Sequence, residues 1–348
     1  MSGVRSPKSG AESRESAQAA GSDSVLSFRF SAGDEEAGRR LDEFLASRFG
    51  ALSRMRIANL ISEGACLINQ TPGRAGQRIA AGDQIEISFD EGAPTAMMPE
   101  PIAIEIAYED EHIIVVVKPS GMLVHPTIAV KSGTLANALV YHLNRGFYEE
   151  NKEGAAHGKL HSLVRPGLIH RLDRPTSGLM VVAKTRRALT QLSRHFRRRL
   201  VDKRYLALVA GRVDQDEGSI GAAIGRDPER RPQWWVMDEG RAAETRFRVV
   251  ERLRSATLVE MQPVTGRTNQ LRIHAAYMGH PIIGDQQYAD FGLLNSEQSG
   301  ESKIGPRLCL HAWRIGFYHP AGGGWVEHTS ELPSDITSVI ESLRARRE

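Results

Sequence analysis

Cysteine is nearly missing from this chain: 348 residues contain two, Cys66 and Cys309. They lie far apart and neither has a CxxC neighbour, which argues against a disulfide framework and a structural zinc site and leaves two buried thiols acting as small hydrophobes. Long apolar runs are also absent. No stretch approaches the roughly 20 residues of a membrane span, so no membrane association is expected. Residues 1–24 (MSGVRSPKSGAESRESAQAAGSDS) have no apolar h-region and read as a disordered Ser/Ala/Gly-rich tail rather than a signal peptide, which places the protein in the cytoplasm. Charge of one sign is lacking as well. The net charge is +3 and the pI about 8.9, so nothing global demands nucleic acid and only local charge can make that case. There is no GxGxxG after a strand, no P-loop, no cluster of His/Cys ligands and no repeat of 20–50 residues. Neither a cofactor nor a metal is implied.

With 41% hydrophobic and 25% charged residues, the chain has ample material for a globular core, and its length favours two domains plus a tail. Folding is expected to begin at Val25, with 25–30 (VLSFRF) as a strand. In 40–49, Leu41, Phe44, Leu45 and Phe49 fall at helical spacing. A second helix starts from Ser53 as N-cap, carries Met55, Ile57, Leu60 and Ile61, and stops at Gly64. Short strands follow at 66–69 (CLIN) and 83–88 (DQIEIS). Residues 25–90 thus form a small α/β module, and 91–101, with prolines and no apolar periodicity, a linker.

Residues 102–348 form the larger domain. Strands are expected at 102–108, 112–118, 180–184, 206–209, 243–250 and 257–263, and helices at 134–143 and 187–200, the latter with Leu189, Leu192, Phe196 and Leu200 on one face. Residues 148–159 and 292–305 read as surface loops. Without a regular βαβ rhythm, the fold class is α+β on a mostly antiparallel mixed sheet.

The segment richest in chemistry is 167–185, GLIHRLDRPTSGLMVVAKT. It places Asp173 on a loop before a buried strand, flanked by Arg171 and Arg174. Such cations should keep a carboxylate ionised and depress its pKa, as a nucleophile at neutral pH requires. An Arg–Asp pair that only fixes a turn would explain an isolated HRLD equally well.

The wider pattern resembles the RluA/RluD-type pseudouridine synthases, in which HRLD is followed shortly by TSG. Four further stretches match in order: 118–126 (KPSGMLVHP), 203–207 (KRYLA), 263–274 (PVTGRTNQLRIH) continued by 279–285 (GHPIIGD), and 308–312 (LCLHA). Pro175 departs from the family's acidic or small residue, and Asn269 from its usual histidine. Neither is expected to touch the carboxylate, tyrosine or arginine of the site. The resemblance implies isomerisation of uridine to pseudouridine in structured RNA, without cofactor or metal. In the roles it implies, Asp173 initiates cleavage of the N-glycosidic bond, Tyr205 lines the base pocket and assists proton removal, Arg272 pairs with Asp173, and Leu271 packs on the uracil. Arg171 would fill the stack left by a flipped base, with His170, Arg267, Asn269 and Gln270 as further RNA contacts. His170, His274 and His311 are scattered, and each belongs to a motif explained otherwise, so a metal site is not expected.

Two features supply a local nucleic-acid signal. The run 194–205 (RHFRRRLVDKRY) leads straight into the tyrosine motif, which favours phosphate binding beside the site over a merely solvated helix face. Residues 38–88 resemble an S4-type RNA-binding domain. There Arg54, at a helix start where free amides favour phosphate, and Arg48 and Arg56 are candidate contacts. A monomer acting on large-subunit ribosomal RNA is expected, with transfer RNA as the alternative substrate. A non-catalytic S4-type RNA-binding or chaperone protein is the rival from another class. A sugar hydrolase would need a second carboxylate at a defined separation, for which the motifs offer no obvious residue.

Overall fold

The computed structural model describes residues 25–49, 52, 54–90, 97–127, 129–146, 164–227, 229, 234–289 and 307–345. The expected tail at 1–24, the surface loops at 148–159 and 292–305, and most of the expected linker lie outside them. The chain divides into two compact units, Met1–Met98 with His142–Arg165, and Pro99–Tyr141 with Pro166–Glu348.

In the first unit, β1 (Val25–Ser31), β2 (Cys66–Ile68), β3 (Thr71–Pro72) and β4 (Gln84–Asp90) form a sheet in the order β1-β4-β2-β3. Helices α1 (Leu41–Arg48) and α2 (Arg54–Ser62) are its other elements. The apolar positions read from the sequence are the ones buried: Leu41, Phe44, Leu45, Ile57, Leu60 and Ile61 share one core with Cys66, Ile85 and Ile87. Strict alternation along β4 sends Ile85 and Ile87 inward, as a strand with one buried face requires. Phe49 closes this core, with its ring edge-on to Phe28, Phe30 and Phe89 at 5.0–5.7 Å.

The second unit is built on a ten-stranded sheet. Its strands are β5 (Glu105–Glu109), β6 (Ile113–Lys118), β7 (Gly167–Leu168), β8 (Ser177–Ala183), β9 (Asp202–Ala210), β10 (Glu217–Gly221), β13 (Glu244–Arg252), β14 (Ala256–Pro263), β15 (Leu310–Tyr318) and β16 (Trp325–Thr329). The main path runs β10-β13-β14-β9-β15-β8-β6-β5, with β16 beside β15 and β7 beside β8. A separate hairpin joins β11 (Ile224–Arg226) to β12 (Trp234–Val236). All pairings among these described strands are antiparallel except β15 with β8, so the sheet is mixed but mostly antiparallel. Helices α3 (Leu135–Leu143), α4 (Arg186–Arg197), α5 (Gln270–Tyr277) and α6 (Ser334–Ala345) complete the set.

The centre of this sheet is buried on both faces, and so β6 and β8 read as continuous apolar runs. On one face Ile114, Val116, Met180 and Val182 meet Leu135 and Leu139 of α3. On the other, Ile113, Val115, Leu179 and Val181 meet Ala188 and Leu192 of α4. Helix α4 is capped by Thr185, whose hydroxyl accepts the Ala188 amide at 3.2 Å. It ends sooner than its apolar spacing suggests. Arg199 adopts a left-handed conformation (φ 58) and stops the helix, leaving Leu200 43% exposed rather than on the buried face.

The parallel contact between β8 and β15 depends on Gly178. Its φ is 117, and a Cβ there would lie 2.3 Å from the carbonyl oxygen of Ala312. Both the backbone conformation and the close approach exclude a side chain. Gly178→Ala is therefore expected to destabilise the protein by about 3 kcal/mol or more, measured by urea unfolding of the full chain; a loss within about 0.5 kcal/mol, the scatter of surface substitutions, would show that the two strands can part without cost.

Candidate active site

Between β7 and β8 the chain makes a tight turn in which the Thr176 amide donates to the Asp173 carbonyl at 3.1 Å. The KPSG segment clamps this turn. Lys118, fully buried, donates its Nζ to the carbonyls of Pro119 (2.8 Å), Met122 (2.9 Å) and Arg174 (3.2 Å). Ser120 donates to the Pro175 carbonyl at 2.7 Å, the Gly121 amide to the Arg174 carbonyl at 2.8 Å, and Arg174 Nε to the Gly121 carbonyl at 2.9 Å. Pro175 gives up a backbone N–H and fixes one φ of the turn, and its carbonyl still accepts a bond. Three carbonyls around one ammonium use all its donors, so this geometry suits the charged lysine, although burial lowers its pKa to about 7.

The turn presents Asp173 at the floor of a cleft of about 640 Å³. Tyr205 on β9 and Leu271 and Arg272 on α5 share the lining, so the carboxylate, the tyrosine and the QLR segment meet as the sequence implied. Tyr205 and Leu271 are both buried. Arg171 is exposed at the same cleft, and Arg197, Arg199 and Lys203, from the end of α4 to the start of β9, also border it. The basic run thus does lead to the site.

Several expectations are corrected by the geometry. The pKa of Asp173 is raised, not depressed: burial outweighs the pull of Arg272, Arg171 and Lys118, and Asp285 adds to the rise. Arg272 stands 4.0 Å from Asp173, and its main partner is Asp285, which accepts from Nε and Nη2 at 2.7 Å each. Asp285 is wholly buried on its side chain and also accepts from the amides of Gln287 and Tyr288. It therefore positions the guanidinium and is not available as a second catalytic acid of the kind a sugar hydrolase needs. Tyr205 is held neutral, since burial and the nearby Asp173 charge both push its pKa up. It can act through its ring and its O–H, not as a preformed phenolate.

Two of the residues expected to contact RNA prove to be internal supports. His170 stacks on Phe196 (4.7 Å, 23°), and its Nε2 accepts the Val181 amide at 3.1 Å. Burial drives its pKa to about 3, so it is a neutral packing residue that ties the turn to β8 and α4. Gln270 is 4% exposed and fully used: its Oε1 accepts from Thr265 (2.7 Å) and Arg267 N (3.0 Å), and its Nε2 donates to Glu244 O (2.9 Å) and Thr245 (3.0 Å). Arg267 lines the cleft but spends Nε and Nη2 on the Ala242 carbonyl, both at 3.1 Å. Asn269, expected to touch neither carboxylate nor arginine, lies directly against Asp173. The amide orientation that suits Asp173 and Tyr288 turns Nδ2 to the two carboxylate oxygens (3.0 and 3.3 Å) and Oδ1 to the Tyr288 hydroxyl (3.0 Å), in exchange for the 3.3 Å bond that Arg272 Nη1 gives the opposite orientation. The remaining motif histidines have separate internal partners: His274 lies between Thr245 and Ala222, and His311 between Ser177 and Ser330.

In the first unit, Arg48 is paired with Glu36 at 2.7 Å and lies over the rings of Phe30 and Phe44, so it braces the module rather than offering a free cation. Arg56 is 3.7 Å from Glu63. Arg54 does open α2, but its side chain lies outside the described residues.

Residues 112–277 match the family model described as RNA pseudouridylate synthase. A Bacillus subtilis protein described as an uncharacterized RNA pseudouridine synthase is 36% identical over 90% of this chain and 97% of its own. The Pseudomonas aeruginosa ribosomal large subunit pseudouridine synthase D is also 36% identical, over 90% of this chain and 95% of its own. The chain belongs to the RNA pseudouridylate synthase family. Among solved structures, human RNA pseudouridylate synthase domain containing 4 superposes with a TM-score of 0.53 at 26% identity, covering 69% of this chain and 93% of that one. The protein is thus an RNA pseudouridine synthase, an isomerase, and the fold is that of its family.

Lys118, Asp285 and Tyr288 are the supports of this site to which the sequence reading gave no role. The motifs contain the first two, but nothing local marks Tyr288. Because the Arg272–Asp285 pair is buried, Asp285→Asn should cost about 3–5 kcal/mol in urea unfolding, as expected when one partner of such a pair is neutralised. A change below about 1 kcal/mol would show that the pair behaves like a surface ion pair.

Proposed function

We propose that the enzyme converts one or more uridines of large-subunit ribosomal RNA to pseudouridine, with Asp173 as the carboxylate that starts the reaction. The reaction breaks the C1′–N1 bond, turns the uracil and forms C1′–C5; C5 gives up its proton and N1, released from the sugar, takes one up, so the product is an isomer of the substrate. No redox partner or phosphate donor enters this balance. The observation that carries the reading is Asp173 on the floor of a cleft beside Tyr205 and Leu271, with exposed Arg171, Arg197 and Arg199 around it. A base within a duplex could not reach that floor, so the nucleotide is extruded into it, at a cost of a few kcal/mol. Leu271 and the Tyr205 ring offer the apolar walls for the uracil, which must not escape before the new bond forms. Arg272 keeps a positive charge near the carboxylate, and Arg171 is placed to enter the vacated stack.

The choice of ribosomal RNA rests on the names of relatives such as the Pseudomonas aeruginosa enzyme. The module at 25–90, read as an S4-type domain and joined by the linker at 91–101 to the catalytic domain at 102–348, would capture the structured RNA. The enzyme is taken to act as a monomer. An enzyme acting on ribosomal RNA would work in the cytoplasm; among the described residues no helix is long and apolar enough to cross a membrane.

Three measurements check this reading. Unmodified large-subunit ribosomal RNA incubated with the enzyme should gain pseudouridine, whereas transfer RNA transcripts should not; the opposite preference would move the substrate to transfer RNA. Asp173→Asn should bind the same RNA with nearly wild-type affinity and make no product, and residual turnover above roughly a tenth of wild type would remove Asp173 from its role. In the double variant Arg197→Gln/Arg199→Gln, loss of two phosphate contacts should flatten the slope of log affinity against log salt by about 1.5–2, and an unchanged slope would place the RNA elsewhere.

A further inference from the structure

We infer that Asn269 is a positioning residue for the reaction: its amide, held from behind by Tyr288, fixes the orientation of the Asp173 carboxylate. The inference rests on the reading of Asp173 as the reacting carboxylate and goes beyond it.

Asn269 occupies a backbone position few residues accept. It precedes α5 with φ 54 and ψ 21, in the left-handed region, where asparagine is among the better tolerated non-glycine residues. In this conformation the side chain lies between Asp173 and Tyr288. Both ends of the amide are then committed. Nδ2 faces Asp173 Oδ2 at 3.0 Å and Oδ1 at 3.3 Å, while the Asn269 oxygen accepts from the Tyr288 hydroxyl at 3.0 Å. Tyr288 cannot readily turn away. It is wholly buried, with the Arg272 guanidinium 4.9 Å from its ring centre and Trp235 stacked at 5.9 Å and 17°. The amide thus has a fixed anchor on one side and the carboxylate on the other. Arg272 stops 4.0 Å short of the same carboxylate and commits its Nε and Nη2 to Asp285 and Gln287, so what its Nη1 gives Asp173 is a field rather than a directed bond.

An amide that donates to a carboxylate favours its charged form, and so opposes the effect of burial. The other groups acting on Asp173 are the cations Arg272, Arg171 and Lys118, the carboxylate of Asp285, and the hydroxyls of Tyr205 and Tyr288. None of these changes charge when the amide is removed, so a shift in the acid limb of the rate profile reports Asp173. Asn269 therefore acts on the carboxylate rather than on phosphate or base, which sets it apart from an RNA contact.

The test uses Asn269→Gly, because glycine accepts φ 54 without strain and removes only the side chain. Single-turnover pseudouridine formation with saturating ribosomal RNA should fall about tenfold at neutral pH, the scale of one hydrogen bond to a charged group. Its acid limb should move to higher pH while the RNA dissociation constant stays unchanged. Asn269→His, also at home in this backbone region and able to donate a ring N–H, should recover most of the rate and the limb. Tyr288→Phe keeps the ring and frees the amide, so it should shift the limb in the same direction by less. Weaker RNA binding with an unmoved limb would make Asn269 an RNA contact and overturn the inference, as would an unchanged rate. If instead Asp173→Asn stays active, the assignment of Asp173 has failed, a result separable from any behaviour of Asn269.

Discussion

The site depends on keeping a partly buried carboxylate charged. Water must be kept from a reaction in which the base is detached from its sugar, yet removing water from Asp173 disfavours the ionised state that attacks. Burial wins that contest in part, which is why its pKa rises, and the surrounding structure limits the rise. Each limiting group must itself be held. Arg272 is fixed by a bidentate pair with Asp285, Lys118 by three carbonyls, and the Asn269 amide by Tyr288. A lone buried cation would cost stability, whereas one with a complete set of partners can be kept.

The fold supplies rigid mounts for these groups. Asp173 sits on a turn whose far end is welded to β15 through Gly178, and a second bare glycine serves the same end of the sheet. Gly284 has φ 78, and a Cβ there would lie 2.0 Å from the Arg307 carbonyl, so only glycine brings the Asp285 segment this close to the entry of β15. Tyr205 on β9 faces Ala312 of β15 and Met261 of β14 across the ladder, in the centre of the sheet. The reacting groups therefore come from a turn, a strand and a helix that cannot move independently.

Much of this was legible in the sequence. The alternation of β4, the continuous apolar runs of β6 and β8 and the buried faces of α1 and α2 follow from periodicity, and the HRLD, KRY and QLR segments do converge on one cleft. What was not legible lies in contacts between distant residues or in the balance of opposing effects. Flanking arginines suggested a depressed pKa for Asp173, but how dry the turn would be is set by the closed fold, and burial reversed the sign. Arg272 read as the partner of Asp173, yet Asp285, 13 positions on, takes both of its strongest bonds. His170 and Gln270, which the motifs offered as RNA contacts, also brace the turn and the start of α5. Leu200 continued an apolar spacing that the left-handed Arg199 had already ended.

The most direct test of this account is the pH dependence of single-turnover pseudouridine formation by the wild-type enzyme, with RNA affinity measured at each pH. An ionised Asp173 is the active form and its pKa is raised in the folded site, so activity is expected to fall as pH drops through a value above the ordinary aspartate figure of about 3.9. RNA binding should remain through that range. A rate that holds level down to the ordinary carboxylate range, with the enzyme folded and RNA bound, would contradict Asp173 as the group that starts the reaction.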